Sequence, residues 1–559
     1  MDGEIRRILE EYALQNAVKH KSVPRAGAVI GAVLGSHPEL RSRAQELNGM
    51  IQSVLADVEA LSPEEREARL LSLAPDLIAS MHQKKERSCE LPPLPDADGG
   101  VVMRFAPNPS GPLHLGHARA SILNDAYIRR YGGKYIYRIE DTDPKRVDPD
   151  AYQMVREDLE WLGIGISDII YQSDRLDIYY EYARQLIELG GAYVCTCEAE
   201  RFRELKIEKK ACPCRIKTPE ENLLRFGQMF DGTFVEGQAT VRIKTEIDHP
   251  DPAIRDFSAM RIVNSTIHPR VDATVYPLMN FSVAVDDHLL GMTHVIRGKD
   301  HIANTRRQRY IFDYFGWKPP HYLHYGRMSI EGLVLSTSSM HQGISEGIYS
   351  GWDDIRLGTL RALARRGILP EAVRAAITEI GIGETDISFS WDNLFAKNRD
   401  IIDKESNRYF FVPEPVSLRV EGAPDQIAEA PRYPGDEERG LRKLHFTGEV
   451  LIPASEIKDG GGMIRLKDLF NIRITGDQNA EYAGDSLADA RASKAPIIQW
   501  LPPEAAVPCR ILTPEGVLEG YAEAEAADFA GRTIQFERVG FVRIDSVEKN
   551  SITAYFTHR

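Results

Sequence analysis

Arg104-Phe105-Ala106-Pro107-Asn108-Pro109-Ser110-Gly111-Pro112-Leu113-His114-Leu115-Gly116-His117-Ala118-Arg119 is the stretch on which the fold turns. Val101-Val102-Met103 leads into it as an apolar run, the pattern of a buried strand. Prolines and a glycine then make a tight loop. A helical pattern begins near His114, and Tyr135-Ile136-Tyr137-Arg138-Ile139 reads as the next strand. Strand, helix and strand at this spacing predict a βαβ unit and a doubly wound parallel sheet of the α/β class.

The start of that helix has chemistry as well as geometry. His114 and His117 are three apart, so they share one helix face. A helix N-terminus offers free N–H groups and the positive end of a dipole, which suits phosphate. Gly116 has no side chain, so a flat base could approach the backbone there. Two imidazoles beside a phosphate can donate hydrogen bonds to charge that develops on it. The plainer reading of two close histidines is a structural or metal-binding pair.

Outward from this stretch the 559 residues divide by texture into an α/β multidomain chain. Residues 1–95 read as helical, with Ser62 and Pro63 starting one helix, and end in the Pro- and Gly-rich segment 91–100. Residues 96–190 and 263–346 read as the two halves of a Rossmann-type domain. Residues 191–262 break that pattern with cysteines and short strands such as Ala239–Ile243, as an insertion would. Residues 347–410 read as a helical linker, with Arg356–Leu363 as one of its helices. Residues 411–559 carry short alternating runs, including Val450–Ile452, Phe470–Ile474 and Phe536–Ile544, and predict β-barrels.

Composition is that of a globular protein, 43% hydrophobic and 27% charged. No apolar run reaches the about 18 residues of a membrane span. The N-terminus lacks the apolar core of a signal peptide, so a cytoplasmic location is expected. The net charge of −14 speaks against nucleic acid on its own, but local clusters decide phosphate contact. Candidates are Arg129-Arg130, Arg306-Arg307 with Arg309, and Arg361 with Arg365-Arg366, each of which also reads as a solvated helix face. Cys89 and Cys509 stand alone as small apolar residues. Cys195-Thr196-Cys197, then 14 residues, then Cys212-Pro213-Cys214 offers four soft ligands, suited to a structural tetrahedral zinc. The alternative is four free thiols.

The segment Pro107–His117 resembles the ATP-binding "HIGH" signature of class I aminoacyl-tRNA synthetases. Three more segments resemble the glutamyl and glutaminyl branch: Arg138-Ile139-Glu140-Asp141-Thr142-Asp143-Pro144, Asp286–Asp300, and Gly351-Trp352-Asp353-Asp354-Ile355-Arg356-Leu357. They occur in family order along nearly the whole chain, which resembles the archaeal type of glutamyl-tRNA synthetase; the expected barrels are similar to those that mark the archaeal and eukaryotic type of that family. The resemblance implies ATP with Mg2+, L-glutamate and the glutamate tRNA as substrates and a monomeric enzyme. It leaves open whether the glutamine tRNA is charged too, which would call for an amidotransferase partner.

The resemblance also assigns roles. His114 and His117 would stabilise the transition state with Ser110. Pro107, Asn108, Pro109, Gly111, Leu115, Gly116, Ser336, Thr337 and Ser338 would hold ATP. Arg104, Glu140, Tyr276, Asn280 and Arg297 would hold glutamate, with Arg297 facing its side-chain carboxylate, and Asp286 and Asp287 supporting them. A buried arginine pairs with a carboxylate and matches an amide poorly, which disfavours a glutaminyl enzyme. A queuosine-tRNA glutamylating paralogue would lack the barrels, and a non-catalytic tRNA-binding protein would not need both histidines. Two departures stand out. Met279 occupies a position where many relatives have tyrosine. The loop Leu333–His341 carries Ser336-Thr337-Ser338-Ser339 and no lysine, although class I enzymes steady the pyrophosphate with one. Arg327, His341 or Arg104 are the candidate replacements.

Overall fold

The computed structural model describes residues 2–20, 23–37, 40, 43–75, 77, 90–333, 335–457 and 462–559. Cys89 and Val334 lie outside them. The chain forms two compact units, Met1–Cys89 and Glu90–Arg559.

The first unit is helical: α1 (Asp2–His20), α2 (Ala26–Ser36), α3 (Ala44–Glu59) and α4 (Pro63–Leu73). Leu9, Leu14, Val29, Leu47, Val54 and Leu70 fill its core. The start of α4 follows from sequence. Ser62 Oγ accepts from the Glu65 N–H at 3.2 Å, the Glu65 carboxylate accepts from the Ser62 N–H at 2.8 Å, and Pro63 takes the first turn, where no N–H is needed.

The second unit begins with the predicted βαβ. Strand β1 (Val101–Phe105), helix α5 (Leu115–Tyr131) and strand β2 (Gly133–Ile139) are followed by α6 (Ala151–Trp161) and β3 (Asp168–Tyr171). The three strands are parallel, with Val101 opposite Gly133 and Ile136 opposite Asp168. Leu91, Leu94 and Ala97 of the Pro-rich segment pack against β1 and α5. Helix α7 (Leu176–Glu188) leads into β4 (Ala192–Cys195), α8 (Ala199–Ile207), α9 (Pro219–Gln228), β5 (Thr240–Ile243) and β6 (Phe257–Ile262). With β7 (Val275–Pro277) these strands form a four-stranded antiparallel sheet. Helix α10 (Met279–Leu289), strand β8 (His294–Gly298), helix α11 (Ile302–Phe315) and strand β9 (His321–Tyr325) return to parallel pairing. Thr293 donates its N–H to Val102 O at 3.0 Å, which sets β8 beside β1. The parallel pieces thus flank the strand that precedes the loop of interest.

Helices α12 (Thr337–Ser345), α13 (Leu360–Arg365), α14 (Pro370–Ile380) and α15 (Trp391–Ile402) follow. The expected helix over Arg356–Leu363 begins only at Leu360. Thr359 caps it, accepting from the Ala362 N–H at 3.0 Å, while Asp354 pins Arg356 in the preceding turn. Residues 408–558 build a seven-stranded and a six-stranded sheet. The expected run Phe536–Ile544 is a hairpin, not one strand. It turns at Arg538, whose φ is 63°, between strands Thr533–Phe536 and Gly540–Glu548. Arg361, Arg365 and Arg366 brace this region internally. Arg361 pairs with Glu157, Arg365 with Asp353, and the buried Arg366 donates to Thr557 O. Among the described residues no helix is long and apolar enough to cross a membrane.

Candidate active site

The loop after β1 is held by its own backbone. Pro107 O accepts from the Glu140 N–H at 3.0 Å, Pro109 O accepts from the Asp148 N–H at 2.8 Å, and Asn108 Nδ2 donates to Glu140 O at 2.9 Å. The Leu113 N–H is taken by Asp158 at 2.7 Å. His114 caps α5 and accepts from the Gly116 N–H through Nδ1 at 3.0 Å, which leaves its proton on Nε2. Its ring stacks on that of His117 with centroids 3.8 Å apart. Burial lowers the His114 pKa to about 3 and that of His117 to about 4. Both are therefore neutral near pH 7 and act as hydrogen-bonding groups, not cations.

Glycine matters at two places here. The missing Cβ of Gly116 leaves room for the His114 ring, which an added Cβ would meet at 2.8 Å. That face is filled by imidazole and is not open to a base. Gly111 has a φ of 155°, and a Cβ there would lie 2.7 Å from Thr337 Cγ2. Only glycine lets this loop meet the loop Leu333–His341 so closely. Leu115, expected at ATP, is fully buried and its N–H goes to Gly358 O at 3.2 Å. It has no group left to offer a nucleotide.

A cavity of about 850 Å³ opens between these loops, lined by Ser110, Gly111, His117, Ser336, Thr337 and Ser338. His341 lines it too, whereas Arg327 and Arg104 do not. Lys145 and Arg146 do, and sequence reasoning missed them although they directly follow the Arg138–Pro144 segment. A second cavity of about 280 Å³ shares Asn108 and Arg146 with the first and adds Glu140, Arg261 and Met279. A third, of about 530 Å³, shares Leu278 and Met279 with the second and carries Asn280, Arg203, Lys206 and Arg307. Burial lowers the Lys206 pKa to about 8, and the Arg307 charge adds to this.

Three arginines near these cavities behave differently, Arg104 and Arg138 buried and Arg297 half-buried. Arg104 is paired with Asp287 at 2.5 and 3.0 Å. Arg138 is paired with Asp286, which also accepts from Arg175 and Tyr179. Asp286 and Asp287 therefore do not neutralise Arg297. Arg297 donates to Thr305 Oγ1 at 2.6 Å and Gln308 Oε1 at 3.0 Å, and has no carboxylate partner among the described residues. Its Nε and the neighbouring Tyr322 hydroxyl are buried without partners. Burial lowers its pKa to about 10, with the Arg104 charge second. Gln308 also reaches Asn280, which donates to Asn304. Thr305 and Gln308 were missed, although their three-residue spacing on the helix after Arg297 was a usable signal. Glu140 is pushed up by burial and lies within the field of Arg138 and Arg104. Tyr276 is fully buried and its hydroxyl is spent on Ala273 O at 2.8 Å.

The cysteines converge as well. Their four sulfurs lie within 4.8 Å of one another, with Cys195–Cys212 at 3.9 Å and Cys197–Cys214 at 3.8 Å. Four thiolates about 2.3 Å from a tetrahedral ion stand about 3.8 Å apart, so the donor set fits zinc. The Thr196 N–H points at Cys214 Sγ from 3.5 Å and Arg225 from 3.8 Å, both suited to a thiolate-rich centre.

Residues 100–404 match tRNA synthetases class I (E and Q), catalytic domain, and residues 406–488 and 497–545 match the anticodon-binding domain of the same enzymes. A glutamate–tRNA ligase of Methanocorpusculum labreanum is 66% identical over 559 residues, all of both chains. The chain belongs to the class I glutamate–tRNA ligases. Relatives of the same name from Methanoculleus marisnigri and Methanospirillum hungatei are 64% and 62% identical, again over the full length of each.

Proposed function

We propose that this chain activates L-glutamate with ATP and joins it to the 3′ end of tRNA(Glu) through glutamyl-adenylate. The observation that carries the reading is Arg297, a half-buried cation with no carboxylate paired to it among the described residues, joined through Gln308 to Asn280 on the wall of the third cavity. Burying an unpaired charge is costly, and an incoming side-chain carboxylate would neutralise it with the bidentate geometry arginine favours. Glutamine would leave the cost in place.

In the first step the glutamate α-carboxylate attacks the α-phosphate and the bond to the bridging oxygen breaks, releasing pyrophosphate. His114 and His117, neutral and pre-positioned, donate hydrogen bonds to the charge that builds on the α-phosphate. Ser110, Gly111, Ser336, Thr337 and Ser338 shape the cavity that would take the phosphates, with Mg2+ supplying charge to them when bound. In the second step the terminal ribose hydroxyl of tRNA attacks the acyl carbon and AMP leaves. The basic third cavity, at the edge of the inserted domain, would receive the acceptor end, where phosphate contacts dominate affinity. The C-terminal sheets would read splayed anticodon bases. Zinc in the cysteine cluster would hold the inserted domain together and take no part in either step.

The test is aminoacylation with radiolabelled glutamate, ATP and magnesium on transcripts of the glutamate and glutamine tRNAs. Charging of the glutamate transcript supports the reading, and charging of both would show a relaxed enzyme. Failure on both, with glutamine also failing as substrate, ends it.

A further inference from the structure

The reaction proposed above needs positive charge at the departing pyrophosphate, and the usual lysine is absent from the loop Leu333–His341. The two histidines bring none, because burial keeps both neutral. Lys145 lines the cleft but is paired with Glu236 at 2.5 Å, which also accepts from the N–H groups of Asn264 and Ser265. Arg146 is different. It closes the turn Pro144–Arg146, with its N–H on Asp143 O at 2.9 Å. Asp143, which accepts that N–H through its carbonyl, has its carboxylate taken by Arg261 at 2.6 Å. Asp148 and Asp150 line the same cleft and form no ion pair with it. Among the described residues the Arg146 guanidinium has no partner, and it lies on the border shared by the 850 Å³ and 280 Å³ cavities. That border separates the serine-rich loop from the glutamate side.

We propose that Arg146 grips the phosphates of ATP and supplies, from the loop after β2, the charge that the serine-rich loop lacks. The inference rests on the ligase reading. Arginine's fork matches two phosphate oxygens at once and stays charged at any working pH. When the α-phosphorus bond to the bridging oxygen breaks, the electron pair goes to pyrophosphate, and a cation there stabilises it in the transition state. No proton or electron is needed from the protein at this point.

The experiment is glutamate-dependent exchange of labelled pyrophosphate into ATP, with tRNA(Glu) present, for wild type, Arg146→Gln, Arg146→Lys and Arg146→Gln with Ser338→Lys. Arg146 is exposed, so these variants should melt with the wild type. Exchange should fall about 100-fold in Arg146→Gln with a raised KM for pyrophosphate, while the KM for tRNA stays within about twofold. Arg146→Lys should keep more of the activity. Ser338 is exposed on the opposite wall, so a lysine there should restore about tenfold. Exchange in Arg146→Gln equal to wild type overturns the inference alone. So does a loss confined to the KM for tRNA, which would place Arg146 at the acceptor end. A wild type with no glutamate-dependent exchange overturns the ligase reading, and this inference with it.

Discussion

Arg442 is a buried arginine and Arg297 a half-buried one, and they have opposite surroundings. Arg442, in the C-terminal sheets, pairs with Glu523 and Glu537 and is 1% exposed. Glu523 in turn accepts from the Phe410 N–H at 2.6 Å, where the chain enters the two sheets. That charge is compensated within the fold and ties strands together. Each arginine leaves its Nε without a partner, but Arg297 has only a hydroxyl and an amide to donate to. A cation neutralised at home serves structure. On the proposed reading, one without a carboxylate pair, such as Arg297, takes its anion from the substrate.

The comparison can be broken where it predicts the largest effect. Arg297→Gln should lose about 1000-fold in glutamate-dependent exchange, and its melting temperature should not fall, because a half-buried charge with no carboxylate pair is relieved. A cooperative loss of fold with the loss of activity would place Arg297 with Arg442. The mirror case is Arg442→Ala, which strands two carboxylates and should cost about 3–5 kcal/mol in the C-terminal sheets by denaturant titration. Its exchange rate with glutamate should change far less. Next in size, His114→Asn and His117→Asn should each slow exchange about 100-fold with little change in the KM for glutamate.

The same histidines sharpen the contrast through pH. Their folded pKa values lie below the ordinary value of a histidine. Below about pH 6.5 the unfolded chain binds protons that the native one does not, so their contribution is to lower stability as pH falls. Between pH 7 and pH 5 the wild type should lose about 2–4 kcal/mol more than a variant lacking both histidines. A pH slope unchanged by removing them would show that they are not buried neutral. The smallest effect on chemistry belongs to the cysteines. Cys212→Ser should release one zinc per chain, seen by metal analysis, and lower the melting temperature. It should leave pyrophosphate exchange closer to wild type than tRNA charging.

Sequence showed the scaffold where local rules suffice. The βαβ unit, the α4 cap at Ser62 and the meeting of four cysteines could all be read from period, capping residues and spacing. It misled where a side chain answers to distant partners. The helix over Arg356–Leu363 lost its first turn because Asp354 and Thr359 satisfy the backbone differently. Leu115 sits inside a nucleotide signature yet faces the core, since α5 must bury that side of its first turn. Asp287 stands ten residues before Arg297 but pairs with Arg104, far upstream in sequence. Arg146 was invisible because nothing in a chain shows which of its arginines lacks an acid.

The most direct measurement is charging of the tRNA(Glu) transcript by the wild type with radiolabelled glutamate and glutamine in parallel. The account predicts a kcat/KM for glutamate at least about 1000-fold above that for glutamine, set by the uncompensated Arg297. Comparable charging with the two amino acids, or preference for glutamine, would contradict it.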